Sequence, residues 1–132
     1  MEFTTQQPIY LQIVELIYSG ILSGQWSEGG RLPSVRELGA EIGVNPNTVM
    51  RAYERLQRDS IIGISRGVGN FVEMGARKII LDIQRAEFMD VTLPQIFEKM
   101  EQLGITLQQI IAQSTLYRPA PKDGKNPHQS DE

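Results

Sequence analysis

Between Arg31 and Asn70 the chain carries six arginines, Arg31, Arg36, Arg51, Arg55, Arg58 and Arg66, against four carboxylates, Glu37, Glu41, Glu54 and Asp59. The segment is therefore positive by two charges inside a 132-residue chain whose formal net charge is −3. Every basic residue before position 75 is arginine, and all the lysines come later. A guanidinium is a planar fork that can clamp a phosphate, or the edge of a guanine, with two hydrogen bonds at once; an ammonium cannot. The alternative is that these arginines only solubilise a surface. Their placement on secondary structure decides between the two.

Other chemistries are poorly provided for. There is no cysteine, which excludes disulfides, thiolate metal sites and cysteine nucleophiles and suits a reducing compartment. The single histidine, His128, stands in a polar tail without a partner, so no Ser-His-Asp set can be assembled and no metal site is expected. Gly67-Val68-Gly69 lacks the third glycine and the strand-to-helix setting of a dinucleotide site. The expectation is a protein with no catalytic residue and no cofactor. The start, Met1-Glu2-Phe3-Thr4-Thr5, has neither the basic lead nor the apolar core of a signal peptide. The apolar stretches around Ile9 to Leu22 and Lys78 to Ile83 are interrupted by polar residues and fall short of the ~20 that a membrane span needs. A cytoplasmic protein with no membrane partner is expected.

The elements that would hold the arginines follow from local signals. Pro8 opens a helix to about Leu22, with Ile9, Ile13, Leu16, Ile17 and Gly20 or Ile21 at helical spacing, and Gly24 is its stop. Gln25 to Pro33 reads as a loop from which Trp26 folds back on the core. Ser34-Val35-Arg36-Glu37 is a capping box and starts a short helix, about Val35 to Ile42. Gly43 allows a tight left-handed turn, and Asn45-Pro46 then supplies an N-cap and a first-turn proline for a third helix to about Asp59. Two short helices joined by so brief a turn form a helix-turn-helix. In the third helix Val49, Ala52, Tyr53 and Leu56 share one face, and a turn of 100° per residue puts Asn47, Arg51, Glu54, Arg55 and Arg58 opposite. Tyr53 is thus core, and Tyr10 and Tyr18 on the first helix read as half-buried packing residues. Two β-prone runs, Ile61 to Ser65 and Asn70 to Glu73, flank Arg66-Gly67-Val68-Gly69 and predict a hairpin wing whose tip needs positive φ.

Beyond the wing the pattern is helical again from Ala76 to about Asp90. Thr92-Leu93-Pro94-Gln95 looks like a second capping box before a helix closed by Gly104, and Thr106-Leu107-Gln108-Gln109 repeats the pattern. Ile79, Ile83, Leu93, Ile96, Phe97, Met100, Leu103, Leu107 and Ile110 make apolar stripes too large for about forty residues to bury alone, so they are expected to form a homodimer interface. The alternative is that they pack back on their own winged domain. From Arg118 onward the composition is that of a disordered tail. The expected class is mainly α with a small β-hairpin: a winged helix-turn-helix domain over residues 1–74, a helical dimerisation region over 75–117, and a tail over 118–132.

Three blocks in this order and spacing, Arg31 to Leu38, Val44 to Tyr53 and Arg66 to Val72, resemble the DNA-binding signature of the GntR family of bacterial regulators. The Asn-Pro-Asn-Thr opening and the short remainder are similar to its YtrA-like subfamily. The resemblance spans about residues 8 to 112. It implies a double-stranded DNA partner, repression as the usual outcome, a phosphate contact for Arg36 and base reading for Arg51. Three positions depart from the family pattern: Gly39 stands where alanine is usual, Ser60 replaces a common glycine, and Val68 occupies a wing-tip site that is often polar. Gly39 should cost its helix up to about 1 kcal/mol.

The residues at the N-terminal end of a helix in the major groove reach the base edges, and here these are Asn47, Thr48 and Arg51. Arg51 would clamp a guanine, Asn47 or Thr48 would meet bases or phosphates, and Arg55 and Arg58 would lie nearer the backbone. Arg36 suits a phosphate beside the first-turn amides of its helix, unless it pairs with Glu37 or Glu41. Arg66, Gly67 and Gly69 would bring the wing to the minor groove, and Arg31, Ser34 and Asn45 complete the candidate contacts. One such domain covers only a half-site, so a homodimer on a palindromic operator is expected. A winged helix that binds only protein is the competing reading, favoured by the acidic total. No residue names a small-molecule effector, although the dimer's helices leave room for an unidentified one.

Overall fold

The computed structural model describes residue 3 and residues 6–117; the tail expected from Arg118, with His128, lies outside the described residues. Six α-helices and one two-stranded sheet occur among them. Helix α1, Ile9–Ser23, ends at Gly24 in the left-handed conformation, φ 91°. It buries Ile13, Val14, Ile17, Tyr18 and Ile21, while Ile9 stays exposed and Leu16 is half-buried. Tyr18 is thus more deeply placed than its expected half-burial. Trp26 does fold back: its ring lies on Gly20, where any side chain would occupy the ring's space, and its amide donates to the Gly20 carbonyl at 3.2 Å.

Helix α2, Val35–Ile42, begins in the expected capping box. The Glu37 amide donates to Ser34 Oγ at 3.0 Å, and the Ser34 amide donates to Glu37 Oε1 at 2.9 Å. Helix α3, Pro46–Arg58, begins with Asn45 Oδ1 accepting from the Asn47 amide at 2.7 Å. The turn between them explains Gly39. A Cβ there would stand 2.6 Å from the Val44 carbonyl oxygen, whose own amide donates to the Gly39 carbonyl at 2.9 Å. The glycine that weakens α2 as a helix former is what lets the two helices close on each other.

Ser60, just after α3, holds φ at 63°, a conformation that glycine adopts without steric cost. Ser60→Gly is therefore expected to stabilise the chain by up to about 1 kcal/mol, the relief of strain being partly offset by glycine's backbone entropy. Thermal unfolding checks this, and an unchanged or lower midpoint would contradict it.

Strands β1, Ile62–Ser65, and β2, Gly69–Val72, pair antiparallel with Ile62 opposite Val72 and Ser65 opposite Gly69. Gly67 and Gly69 take φ of 88° and 84° at the tip, as the wing required. A two-stranded hairpin alone is marginal in water. Here the loop before α2 supplies a third ribbon: the amides of Gly29 and Leu32 donate to the carbonyls of Val72 and Asn70 at 2.7 and 2.9 Å.

The described residues divide into two compact units after Phe88. Helix α4, Ala76–Glu87, therefore belongs with the winged fold, although the sequence placed that domain's end at residue 74. Ala76 and Ile80 are buried in the core, and Ile79 and Ile83, expected at a dimer interface, pack against it. Two long-range caps fasten the helix. The Glu28 carboxylate accepts from the Gly75 and Arg77 amides, both at 3.0 Å, and Arg77 Nη1 donates to the last carbonyls of α1, Leu22 at 2.7 Å and Ile21 at 3.2 Å. The two amides hold the Glu28 carboxyl below the usual carboxylate range, so this cap is complete near neutral pH and is lost as the pH falls through that lowered value.

The second unit departs from expectation at its start. Thr92 makes no side-chain cap; helical backbone continues from α4 through a π turn, Phe88–Thr92, into α5, Leu93–Leu103. Pro94 has no amide to give the preceding turn, and a wider π turn accommodates such a missing bond without ending the helix. Helix α6, Leu107–Ser114, opens with the capping box read from sequence, Thr106 Oγ1 accepting from the Gln109 amide at 3.2 Å. The π turn, α5 and α6 bury no residue. Phe97 is 51% exposed and Leu107 58%, while Leu93 and Met100 are half-buried.

Candidate nucleic-acid interface

Helix α3 is held by its buried side. Val49, Ala52, Tyr53 and Leu56 are within the core, and the Tyr53 hydroxyl donates to the Pro33 carbonyl at 2.7 Å, tying α3 to the loop that launches α2. Burial drives the Tyr53 pKa far upward, so the phenol stays a neutral donor. Gln57 Nε2 donates to Asn70 Oδ1 at 3.2 Å and fixes the wing against the same helix. Helix-turn-helix and wing are thereby joined through α3.

On the opposite side Asn47, Arg51, Glu54 and Arg58 are exposed, as the periodicity required, and Thr48 is half-buried. The Arg51 guanidinium lies 3.8 Å above the Tyr10 ring of α1. Stacking engages one face of the fork and leaves its edge of N–H donors free, so Tyr10 acts as a platform that limits where Arg51 can point. The sequence identified Tyr10 only as packing; nothing local could signal a contact forty-one residues away. Tyr10→Leu preserves an apolar filler but removes the π face, and should weaken duplex binding by about twofold to fivefold, the equivalent of an exposed cation–π contact. Tyr10→Phe should not, and a titration in which Leu and Phe variants match the native chain would remove the platform role.

Besides Arg51 on its ring, two of the six arginines are held by polar partners among the described residues. Arg31 Nη2 sits 3.6 Å from Glu37 Oε1, and Arg31 Nε donates to the Val68 carbonyl at 3.3 Å, linking the wing tip to the start of α2. Arg55 Nε lies 3.4 Å from Asp59 Oδ2, and Arg55 lines a cavity against α1 and α4. Its position on the outer face, read from the helical wheel, is corrected to a half-buried flank, because α1 packs along that side of α3. The side chains of Ser34 and Asn45 are used as helix caps. Arg36, Arg51, Arg58 and Arg66 are exposed and have no carboxylate partner among the described residues; Arg36 therefore pairs with neither Glu37 nor Glu41. One exposed residue beside this face of α3 was missed: Met50, 44% exposed. The helical wheel could have found it, since it falls 40° from Glu54.

A helix-turn-helix closed by a hairpin wing, with unpaired guanidinium groups around an exposed second helix, defines the winged helix-turn-helix class that transcription regulators use. The family model described as bacterial regulatory proteins, gntR family, matches residues 9–72. The HTH-type transcriptional regulator YhcF of Bacillus subtilis is 33% identical over 110 residues, which cover 83% of this chain and 89% of YhcF. The HTH-type transcriptional repressor YtrA of the same organism is 34% identical over 103 residues, 78% of each chain. A solved structure of a GntR-family transcriptional regulator from Bacteroides thetaiotaomicron matches with a TM-score of 0.71 at 39% identity, covering 83% of this chain and 95% of that one. The chain belongs to the GntR family of bacterial regulatory proteins and is YtrA-like within it, a transcription regulator with a DNA-binding domain. Among the described residues no helix is long and apolar enough to cross a membrane, and no group of three or more His, Asp or Glu could hold a metal ion.

Proposed function

We propose that this regulator binds a palindromic operator as a symmetric homodimer in the cytoplasm and represses transcription there. The observation that carries the reading is the set of four exposed, carboxylate-free arginines distributed over the start of α2, the face of α3 and the wing tip. In this arrangement α3 enters the major groove, Arg51 clamps a guanine and Asn47 or Thr48 meets neighbouring bases or phosphates. Met50 suits contact with a thymine methyl, the one apolar feature of the groove. Arg36 and Arg58 meet phosphates, and Arg66 with Gly67 and Gly69 brings the wing to the minor groove. Repression is supported by the likeness to the transcriptional repressor YtrA of Bacillus subtilis.

The apolar residues of α5 and α6, none of them buried within their own unit, support pairing with the same helices of a second copy. Leu93, Ile96, Phe97, Met100, Leu103, Leu107 and Ile110 form this interface. Ile79 and Ile83 leave the set, because they already serve the winged core.

The reading is tested by selecting bound sequences from a random DNA pool and titrating the winner at several salt concentrations. A defined two-fold motif is expected, with affinity falling steeply as salt rises, since each phosphate contact releases counterions. The net charge of −3 favours a second reading, a winged helix that binds only protein. Absence of any enriched sequence and of salt-dependent binding would select it.

A further inference from the structure

We propose that the open cavity lined by residues of α1, α3 and α4 binds a small organic cation, an amine, amidine or guanidine with a short apolar body. The cavity measures about 320 Å³, at the small end for a ligand site. Leu11, Val14 and Ile83 give it an apolar wall. Glu15 and Glu87, both exposed to solvent, line it as well, and Arg55, the one cation among its described lining residues, lies 3.4 Å from Asp59 Oδ2. Among the described residues no basic side chain pairs with Glu15 or Glu87, and partial burial together with the Glu87 charge pushes the Glu15 carboxyl upward.

Tyr18 supplies the second, independent observation. It lines the same cavity and is only 3% exposed, yet its hydroxyl makes no hydrogen bond among the described residues. Buried hydroxyls are nearly always paired, because an orphan forfeits its bonds to water without replacement. A phenol with no hydrogen-bond partner among the described residues, beside two exposed carboxylates with no ion pair among them, is a set of acceptors open to a multivalent donor. A protonated nitrogen carrying several N–H groups satisfies all three, while the apolar wall takes the rest of the molecule. A bare metal ion fits less well, since two carboxylates and a phenol supply too few hard ligands. Arg55 belongs to α3, so an occupant would touch the helix that carries Arg51.

The test uses the full chain without DNA, so its result is independent of the duplex-binding reading. Benzamidine and agmatine are titrated by calorimetry and thermal shift, with benzamide as the uncharged counterpart of the first. Saturable binding of at least one cation is expected, with no matching response to benzamide. The double variant Glu15→Gln, Glu87→Gln should weaken it at least tenfold. Tyr18→Phe should weaken it severalfold while leaving the free protein at least as stable as the native chain, because the hydroxyl it removes has no partner. No binding of either cation up to about 10 mM would overturn the proposal. So would equal binding of benzamide, an undiminished affinity in the double variant, or a loss of stability in Tyr18→Phe.

Discussion

Arg51→Ala should lower affinity for the preferred duplex by about fivefold to 150-fold, the value of a bidentate arginine–guanine contact of roughly 1–3 kcal/mol. The loss should be selective. Sequences lacking the guanine should be bound as before, so that the preference at that position flattens. Arg51 is suited to this role because it stands one turn into α3, remains exposed, and is pre-oriented by the Tyr10 ring 3.8 Å away. Arg51→Lys should recover little, since a single ammonium neither stacks as a plane nor forks onto O6 and N7. Arg58→Ala is the useful contrast. Placed near the end of α3 and proposed to meet a phosphate, it should weaken all sequences alike and reduce the salt slope by about one. A titration across operator variants separates the two behaviours. Unchanged affinity and preference in Arg51→Ala would remove the assignment of α3 as the reading helix.

The second large effect concerns the helices beyond the π turn. Phe97→Asp combined with Leu107→Asp should convert a dimer into a species of 14.9 kDa and reduce operator affinity by two orders of magnitude or more, because each winged domain would then meet its half-site alone. Neither residue is buried within the chain, so the substitutions should leave helix content and the unfolding of the winged unit intact. Ile79→Asp serves as the control that tells the two faces apart. Ile79 packs on the winged core, so this change should lower stability rather than association. Sedimentation at micromolar concentration reads the outcome. A native chain already sedimenting as a 14.9 kDa monomer would rule out the dimer.

Met50 offers a finer test of the same interface. Replacing the operator's thymines one at a time by uracil removes a single methyl group each time. A position where the native chain loses affinity but Met50→Ala does not would mark the base that Met50 faces. If no position behaves in this way, Met50 makes no such contact.

Most helix starts were legible from hydrogen bonds between near neighbours. Ser34 with Glu37, Asn45 with Asn47 and Thr106 with Gln109 each close a cap within a few residues, so the helix starts were fixed by local chemistry. The apolar period of α3 and the glycines of the wing were legible for the same reason: one turn of helix or one hairpin tip encloses its own cause. Tertiary structure decided where a side chain had a choice of partners. Arg31 was as free as Arg51 in sequence, and only the wing, through the Val68 carbonyl, together with Glu37 committed it, whereas Arg55 is engaged by its i,i+4 neighbour Asp59. Glu28 and Arg77 bind α4 to the winged fold across 47 and 55 residues of sequence, which moved Ile79 and Ile83 from an outer stripe to an inner one. Thr92 carried the letters of a cap but met a chain that could remain helical by widening one turn. The local pattern specifies which groups are available. Which of them face solvent, another element or a ligand depends on what the rest of the chain brings within a few ångströms, and no spacing rule encodes that.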